Sequence, residues 1–299
     1  MNKVVAIVVT YKRKELLIQV LDSLLQQTKV PSTILVIDNN SSDGTECVAR
    51  QLSEKNNCIV YHNTGANLGG AGGFYYGFEK AKDYDYSHLW LMDDDLKPDQ
   101  HCLAKMLELH HTGIIQPIRF NLDGSCAELS PVTYNLSSPF LLRPRESSVL
   151  DLYEKGNLKQ TQELDGIPFE GPLISREVID TVGLPESKFF IFNDDLDYAI
   201  RARKAGYKII CNQNIKATRL LINNQGDDLL SWKGYFMLRN FFYIHKVHGE
   251  NTLVKMKPYL LAFGYAAISL LKGQFKQSKI VFQALWDSSD LSNTEKHKP

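Results

Sequence analysis

Apolar positions in the first 110 residues switch repeatedly between two periods. VVAIVV (4–9) is an unbroken apolar run, the pattern of a strand buried on both faces. KELLIQVLDSLLQQT (14–28) then spaces Leu17, Val20, Leu21, Leu24 and Leu25 three and four apart, giving a helix with one apolar face. The alternation continues with TILVID (33–38) as a strand, 45–52 as a helix, and CIVYH (58–62) as a strand. AGGFYYGFEKAK (71–82) reads as a helix with a glycine-rich entry, HLWLM (88–92) as a strand and PDQHCLAKMLELH (98–110) as a helix. Such alternation predicts a mostly parallel sheet with right-handed crossovers and helices on its faces.

Periodicity fades over 121–165, where Pro131, Pro139 and Pro144 suggest loops and short antiparallel strands. It returns in FEGPLISREVIDTVGLPE (169–186), a short strand leading to a helix from Arg176 that Gly183 and Pro185 stop. FFIF (189–192) reads as a strand, DDLDYAIRARKAG (194–206) as a helix and YKIIC (207–211) as a last strand. From 231 the pattern is helical throughout, with an aromatic stripe of Trp232, Tyr235, Phe236, Phe242 and Tyr243. A helical pair follows over 258–273 and 274–286, and the last ten or so residues are expected to fray. The reading is an α/β, Rossmann-like domain over 1–230 with a C-terminal helical appendage over 231–299.

Composition narrows the class. Hydrophobic residues make up 43% and charged residues 23%, and Lys plus Arg equals Asp plus Glu at 34 each. A balanced chain has no overall field to attract nucleic acid, so a charged partner must be recognised locally. The five cysteines are odd in number and form no CxxC pair, which fits reduced thiols in the cytosol. The first apolar run is too short for a signal peptide, and no run approaches a membrane span. A cytoplasmic protein is therefore expected.

Candidate chemistry lies where the strands end, because parallel sheets bind ligands outside their carboxyl edges. Asp93, Asp94 and Asp95 follow the fourth strand directly. Three like charges within about 7 Å of backbone repel unless something positive joins them. Asp93 and Asp95 have the spacing to hold one hard divalent cation, Mn²⁺ or Mg²⁺, with a diphosphate completing its oxygen shell. A solvated turn capping the next helix is the alternative. NLGGAGGF (67–74) brings four glycines to a helix entry, where backbone N–H groups approach a phosphate closely, or which simply form a tight turn. Asp38 ends the second strand and either accepts from a base or ribose or closes an Asx-turn in NNSSDG. Asp194, Asp195 and Asp197 open a helix. Asp197 pairs with Arg201 at i,i+4, which leaves Asp194 and Asp195 as candidate general bases.

In the order VVTYKR, VIDNNSSDGT, NLGGAGGF, WLMDDD, FEGPLISREVIDTVGLPE and FFIFNDDLDYAIRARKAGY, these blocks resemble a family 2 glycosyltransferase with the GT-A fold, over about residues 3–245. The Arg239-Asn240 pair in an aromatic helix is similar to the galactofuranosyl- and rhamnosyltransferase branch. The resemblance implies that Thr10, Tyr11, Arg13, Asp38 and Asn40 hold the nucleotide, with Asp94 near the ribose. It implies that Asn67, Gly69, Gly70, Gly72 and Gly73 line the diphosphate and donor sugar, and that Arg239 meets the diphosphate. Asp93 and Asp95 would bind the metal, Asp195 would be the base, with Asp194 in reserve, and Glu170 and Gly171 would border the acceptor. One departure is the absence of a metal-binding His in NQNIKATRLLINNQGDD (212–228); His245 and His248 read as structural.

The implied activity is inverting transfer of a sugar, galactofuranose from UDP-galactofuranose or else rhamnose from dTDP-rhamnose, to a lipid-linked acceptor of a bacterial surface polysaccharide. A nucleotidyltransferase would place a glycine-rich basic signature after the first strand, where TYKRKELL has none. A non-catalytic nucleotide-sugar binder is disfavoured by the intact Asp195. Lys255, Lys257, Lys272, Lys276 and Lys279 border the last helices. They leave open a peripheral seat on an anionic membrane, packing on the α/β domain, or a homodimer contact.

Overall fold

β1 (Val4–Thr10) is buried at all seven positions, as its unbroken apolar run requires. β2 (Thr33–Asp38) and β4 (His88–Asp93) flank it in parallel, and β3 (Ile59–Asn63) lies parallel beyond β2. The register sets Thr10 beside Asp38 and Val9 beside Asp93, so these strands deliver their polar ends at one level. The structure, a computed structural model, describes residues 3–221 and 231–299. The expected boundary at 230, and residues 222–228 of the His-free stretch, lie outside the described residues.

The other half of the sheet is mixed. β10 (Leu173–Ser175) runs antiparallel to both β4 and β6 (Ile114–Phe120). β11 (Ile209–Arg219) lies parallel to β6, and β5 (Leu96–Pro98) and β9 (Thr161–Leu164) pair with it antiparallel. β7 (Pro131–Tyr134) and β8 (Arg145–Ser148) form a separate antiparallel pair within the irregular stretch.

Alternate residues of each strand point to opposite faces, and the two faces carry separate cores. Val5, Ile7 and Val9 pack with Phe74 and Phe78 of α3 (Gly69–Ala81), with Val178 of α6 (Arg176–Val182) and with Tyr198 of α7 (Asp194–Lys204). Val4, Ala6 and Val8 pack with Leu17 and Leu21 of α1 (Lys14–Leu25), Ala49 of α2 (Thr45–Lys55) and Leu103 of α4 (Cys102–Glu108). Trp90 is fully buried in the second core and donates its indole N–H to the Gly171 carbonyl at 2.9 Å. Burial of a side chain this large favours folding by about 3 kcal/mol. The short α5 (Val149–Glu154) starts at a Ser148–Asp151 capping box.

A third core joins α8 (Lys233–His248), α9 (Thr252–Leu271) and α10 (Phe275–Asp287) to Phe190, and a last turn, α11 (Thr294–His297), follows. Here the structure corrects several expectations. FFIF is no strand: a 3-10 turn at Ser187–Phe189 leads into positive φ at Phe190, Phe192 and Asn193. Its apolar run exists because Phe190 packs against Phe236 of α8, a tertiary reason that mimics a strand. β6 carries Pro117, which hid it in the sequence. β11 continues past Cys211 to Arg219 across a register shift. α9 starts at Thr252, capped by Asn251, and contains Pro258. The terminal residues do not fray, since Leu291 is buried and His297 stacks on Tyr235 at 3.6 Å between centroids.

Candidate active site

A cavity of about 980 Å³ opens where β1 and β4 end. Thr10, Tyr11, Arg13, Asn67, Gly69, Gly70, all three residues of the Asp triplet, Glu170, Asp194 and Asp195 line it. Segments far apart in sequence thus converge at the sheet edge, as strand polarity dictates.

The triplet meets its positive partner in Arg13, whose guanidinium lies 3.2 Å from Asp94 and 3.3 Å from Asp95. Asp94 also accepts from the Thr10 hydroxyl at 2.7 Å and the Tyr11 N–H at 3.3 Å. It therefore cross-links the ends of β1 and β4, and the ribose role implied for it would fall to whatever acceptor capacity remains. Asp93 has no side-chain hydrogen bond among the described residues. Burial, then Asp95, Glu170 and Asp94, push its carboxyl well above the usual range. Burial likewise raises Asp94, to about 6, against the pull of Arg13, and burial and Glu170 raise Asp95.

An unpartnered acid beside a second carboxylate is a donor set that suits a hard divalent cation. Among the described residues no group of three or more His, Cys, Asp or Glu is arranged to hold one. Among the described residues, Asp93 and Asp95 are the pair that would hold a cation here, with a diphosphate and water able to complete its oxygen shell.

The glycine motif divides its work. Gly70 has open space where a Cβ would be and faces the cavity. Gly69, at φ +70°, leaves room for the Phe190 carbonyl, which a Cβ would meet at 2.2 Å. Gly72 and Gly73 do not line the cavity; a Cβ would strike Leu68 and Val9 respectively, so they serve packing. The Ala71 N–H donates to the same Phe190 carbonyl at 3.1 Å, fastening the start of α3 to the segment that precedes α7.

That segment is strained and clamped. Positive φ at Phe190, Phe192 and Asn193 costs on the order of 1–3 kcal/mol per residue. The Asn240 amide donates to the carbonyls of Phe189, Ile191 and Phe192 at 3.1, 2.6 and 2.9 Å. Arg239 donates to those of Lys188 and Phe189 at 2.8 and 3.0 Å. Hydrogen bonds of about 1 kcal/mol each offset the strain. Arg239 is fully buried and does not line the cavity, so the implied diphosphate contact is corrected to a structural clamp. The segment presents Asp194 and Asp195 to the cavity at the start of α7. Burial first, then Glu170, pushes Asp195 up to about 6, and burial with Asp195 raises Asp194 well above its usual range. Asp197 faces away, held by Arg201 and His248 at 2.8 and 2.7 Å. His245 is fully buried, and burial lowers it to about 4.

Glu170 lines the cavity and pairs with Arg119 and, at 3.3 Å, Arg219. Burial opposes its ionisation, but the two guanidiniums overcome this and hold its carboxyl below the usual range. Sequence reasoning missed both arginines because β6 and the end of β11 were not anticipated. Gly171 lies off the cavity; its N–H donates to the Leu91 carbonyl at 2.7 Å and its φ is +98°, so it joins β10 to the sheet rather than bordering an acceptor. On the nucleotide side, Asp38 is fully buried behind the lining, accepting from Tyr61 at 2.8 Å and from the Ser41 N–H at 2.9 Å. Asn39, not the exposed Asn40, lines the cavity and donates to the Gly69 carbonyl at 2.9 Å.

Residues 5–170, more than half of the chain, match the family model Glycosyl transferase family 2. The chain belongs to this family. GlfT1, a galactofuranosyltransferase of Mycolicibacterium smegmatis, is 31% identical over 214 residues, covering 68% of this chain and 66% of the relative. Galactofuranosyltransferase GlfT1 of Mycobacterium tuberculosis is 28% identical over 212 residues, 69% of this chain and 66% of its own length. The chain thus spans just under two thirds of the length of the relatives it matches. The mannosyltransferase PcManGT from Pyrobaculum calidifontis, solved with GDP-Man and Mn²⁺, superposes with a TM-score of 0.59 at 16% identity over 97% of this chain and 88% of that one. The fold is that of the GT-A glycosyltransferases, extended by C-terminal helices.

Proposed function

We propose that the protein transfers galactofuranose from UDP-galactofuranose to a lipid-linked glycan of a bacterial surface polysaccharide, with inversion at the anomeric carbon. The observation that carries the reading is the convergence of Gly70, Asp93, Asp95 and Asp195 on one cavity. The activity of the mycobacterial relatives favours galactofuranose over rhamnose, and no feature of the site favours dTDP-rhamnose. Family membership argues against a nucleotidyltransferase.

Asn67 and the Gly70 backbone would cradle the donor diphosphate, and Asn39 and Tyr11 would flank the nucleotide. Mn²⁺ or Mg²⁺, held by Asp93 and Asp95, would supply positive charge to the departing diphosphate. Asp195 would take the proton of the acceptor hydroxyl as its oxygen attacks the anomeric carbon; the bond to UDP breaks, and UDP leaves with its electron pair. A carboxyl raised to about 6 is ionised at neutral pH yet more basic than an ordinary Asp. Arg119 and Arg219 keep Glu170 ionised, and its charge adds to the basicity of Asp195.

The test is UDP release by the purified protein with Mn²⁺ and a lipid-linked glycan acceptor, with the product anomer read by NMR. Turnover of UDP-galactofuranose with an inverted linkage is expected. Faster turnover of dTDP-rhamnose, or retention of configuration, would overturn the donor or the mechanism respectively.

A further inference from the structure

Helix α9 is apolar on the side that faces away from the protein. Its inner face places Ala262 and Ala266 in the third core. Its outer face leaves Leu253, Leu260, Phe263 and Leu271 exposed, at 66, 76, 63 and 89%. Trp286 of neighbouring α10 is 84% exposed. Single exposed apolar side chains are ordinary, but a continuous face of them on one helix marks an interaction surface. No helix among the described residues is long and apolar enough to cross a membrane.

The charge around this face is one-sided. Between Glu250 and Asp287 the sequence has five lysines and no acidic residue, in a chain whose formal net charge is zero. Lys257 turns inward onto the Leu141 carbonyl, while Lys255, Lys272, Lys276 and Lys279 are exposed. The Lys257–Leu141 bond, with Asn251 donating to the Ser137 carbonyl at 2.5 Å, ties the 137–142 loop to α9. That loop exposes Phe140 at 91% and Leu142 at 73%. Leu142 and Tyr265 of α9 also line the cavity, so the apolar surface reaches the mouth of the cleft.

We propose that the outer face of α9, with Trp286 and the 137–142 loop, seats the protein on an anionic lipid bilayer, and that the cleft opens along the lipid surface. Exposed apolar residues flanked by lysines match the acyl and headgroup layers of such a membrane. A two-fold pairing of this face with a second copy would set its lysines against one another, which disfavours that occupant. The seat stands on exposure and charge alone. Only its corollary, that a lipid-borne acceptor enters the cleft from the membrane, rests on the proposed function.

The experiment is co-sedimentation of the full chain with vesicles of neutral phosphatidylcholine, with and without about 30 mol% phosphatidylglycerol. The protein should partition onto the anionic vesicles, less so as salt rises. Leu260→Gln/Phe263→Gln/Trp286→Gln, and separately Lys272→Gln/Lys276→Gln/Lys279→Gln, should each lower partitioning by about tenfold or more with Tm unchanged. All six side chains lie outside the cavity, so both variants should keep their turnover of UDP-galactofuranose with a soluble acceptor. Failed turnover with intact partitioning would therefore strike the proposed function and leave the seat standing. The proposal is overturned if the wild-type chain ignores anionic vesicles, if both variants partition as it does, or if these substitutions instead dissolve a dimer seen by sedimentation velocity.

Discussion

Two acidic clusters share the cleft, and they are held there by opposite means. Asp93–Asp95 ride the end of β4, a buried strand whose register with β1 fixes their height. Asp194 and Asp195 follow three residues of positive φ, in a segment with no strand partner, held by two side chains of a helix some fifty residues later. The first cluster inherits its place from the regular core; the second depends on a few polar contacts. The proposed metal corner can thus be as rigid as the sheet, whereas the proposed base is only as well placed as its clamp.

The sharpest way to break the comparison is Asp195→Asn. It should lower kcat by about 100-fold to 10,000-fold without lowering Tm at neutral pH, because the amide keeps the shape, loses the base and removes a buried charge. With the wild-type chain, kcat should fall as pH drops below about 6, since the ionised carboxylate is the active form. An unshifted kcat in the variant would move the role to Asp194.

Asn240→Ala ranks next. The carbonyls of Ile191 and Phe192 lose their side-chain donor while that of Phe189 keeps Arg239, so a loss of about 1–3 kcal/mol is expected in denaturant unfolding. Turnover should fall about tenfold or more as the base loses its position, while the affinity for Mn²⁺, set by the triplet, stays put. If stability fell but kcat held, the segment would be placing Asp195 without its clamp.

The smallest effect is on stability against pH. The raised carboxyls keep protons in the folded state that the unfolded chain has released. From about pH 4 upward through 6 the native state binds more protons, so stability should decline as pH rises across that range. Mn²⁺ at neutral pH should restore the share due to Asp93 and Asp95, and not that due to Asp194. Asp93→Asn should remove the restoration; a metal effect that survived it would place the cation elsewhere.

The sequence made the regular half legible and the irregular half less so. VVAIVV, TILVID and HLWLM announce buried strands, and strand polarity then collects their ends, which is why Asp93–Asp95 and Gly70 were found together. FFIF misled because periodicity cannot distinguish residues that are apolar for a sheet from those that are apolar for a neighbouring helix. The same gap hid the purpose of Arg239-Asn240: a charged residue inside an aromatic helix looks like a ligand contact until its carbonyl partners are seen. Gly72 and Gly73 show a further limit. A glycine needed for close packing and one needed for a phosphate look alike in a string of letters.

The contact between Gly69 and the Phe190 carbonyl bears on efforts to retrain this protein for other donors. Variation at Gly70, where a Cβ would meet open space, reshapes one wall of the cleft and leaves the backbone alone, whereas the Asn67 side chain accepts from the Gly69 N–H at 3.0 Å and helps to hold that turn. Any side chain at 69 would push on the segment that carries Asp195. A library that randomises the whole NLGG stretch would thus discard turnover along with selectivity, and one confined to Gly70 would explore the proposed donor wall with the proposed base still in position.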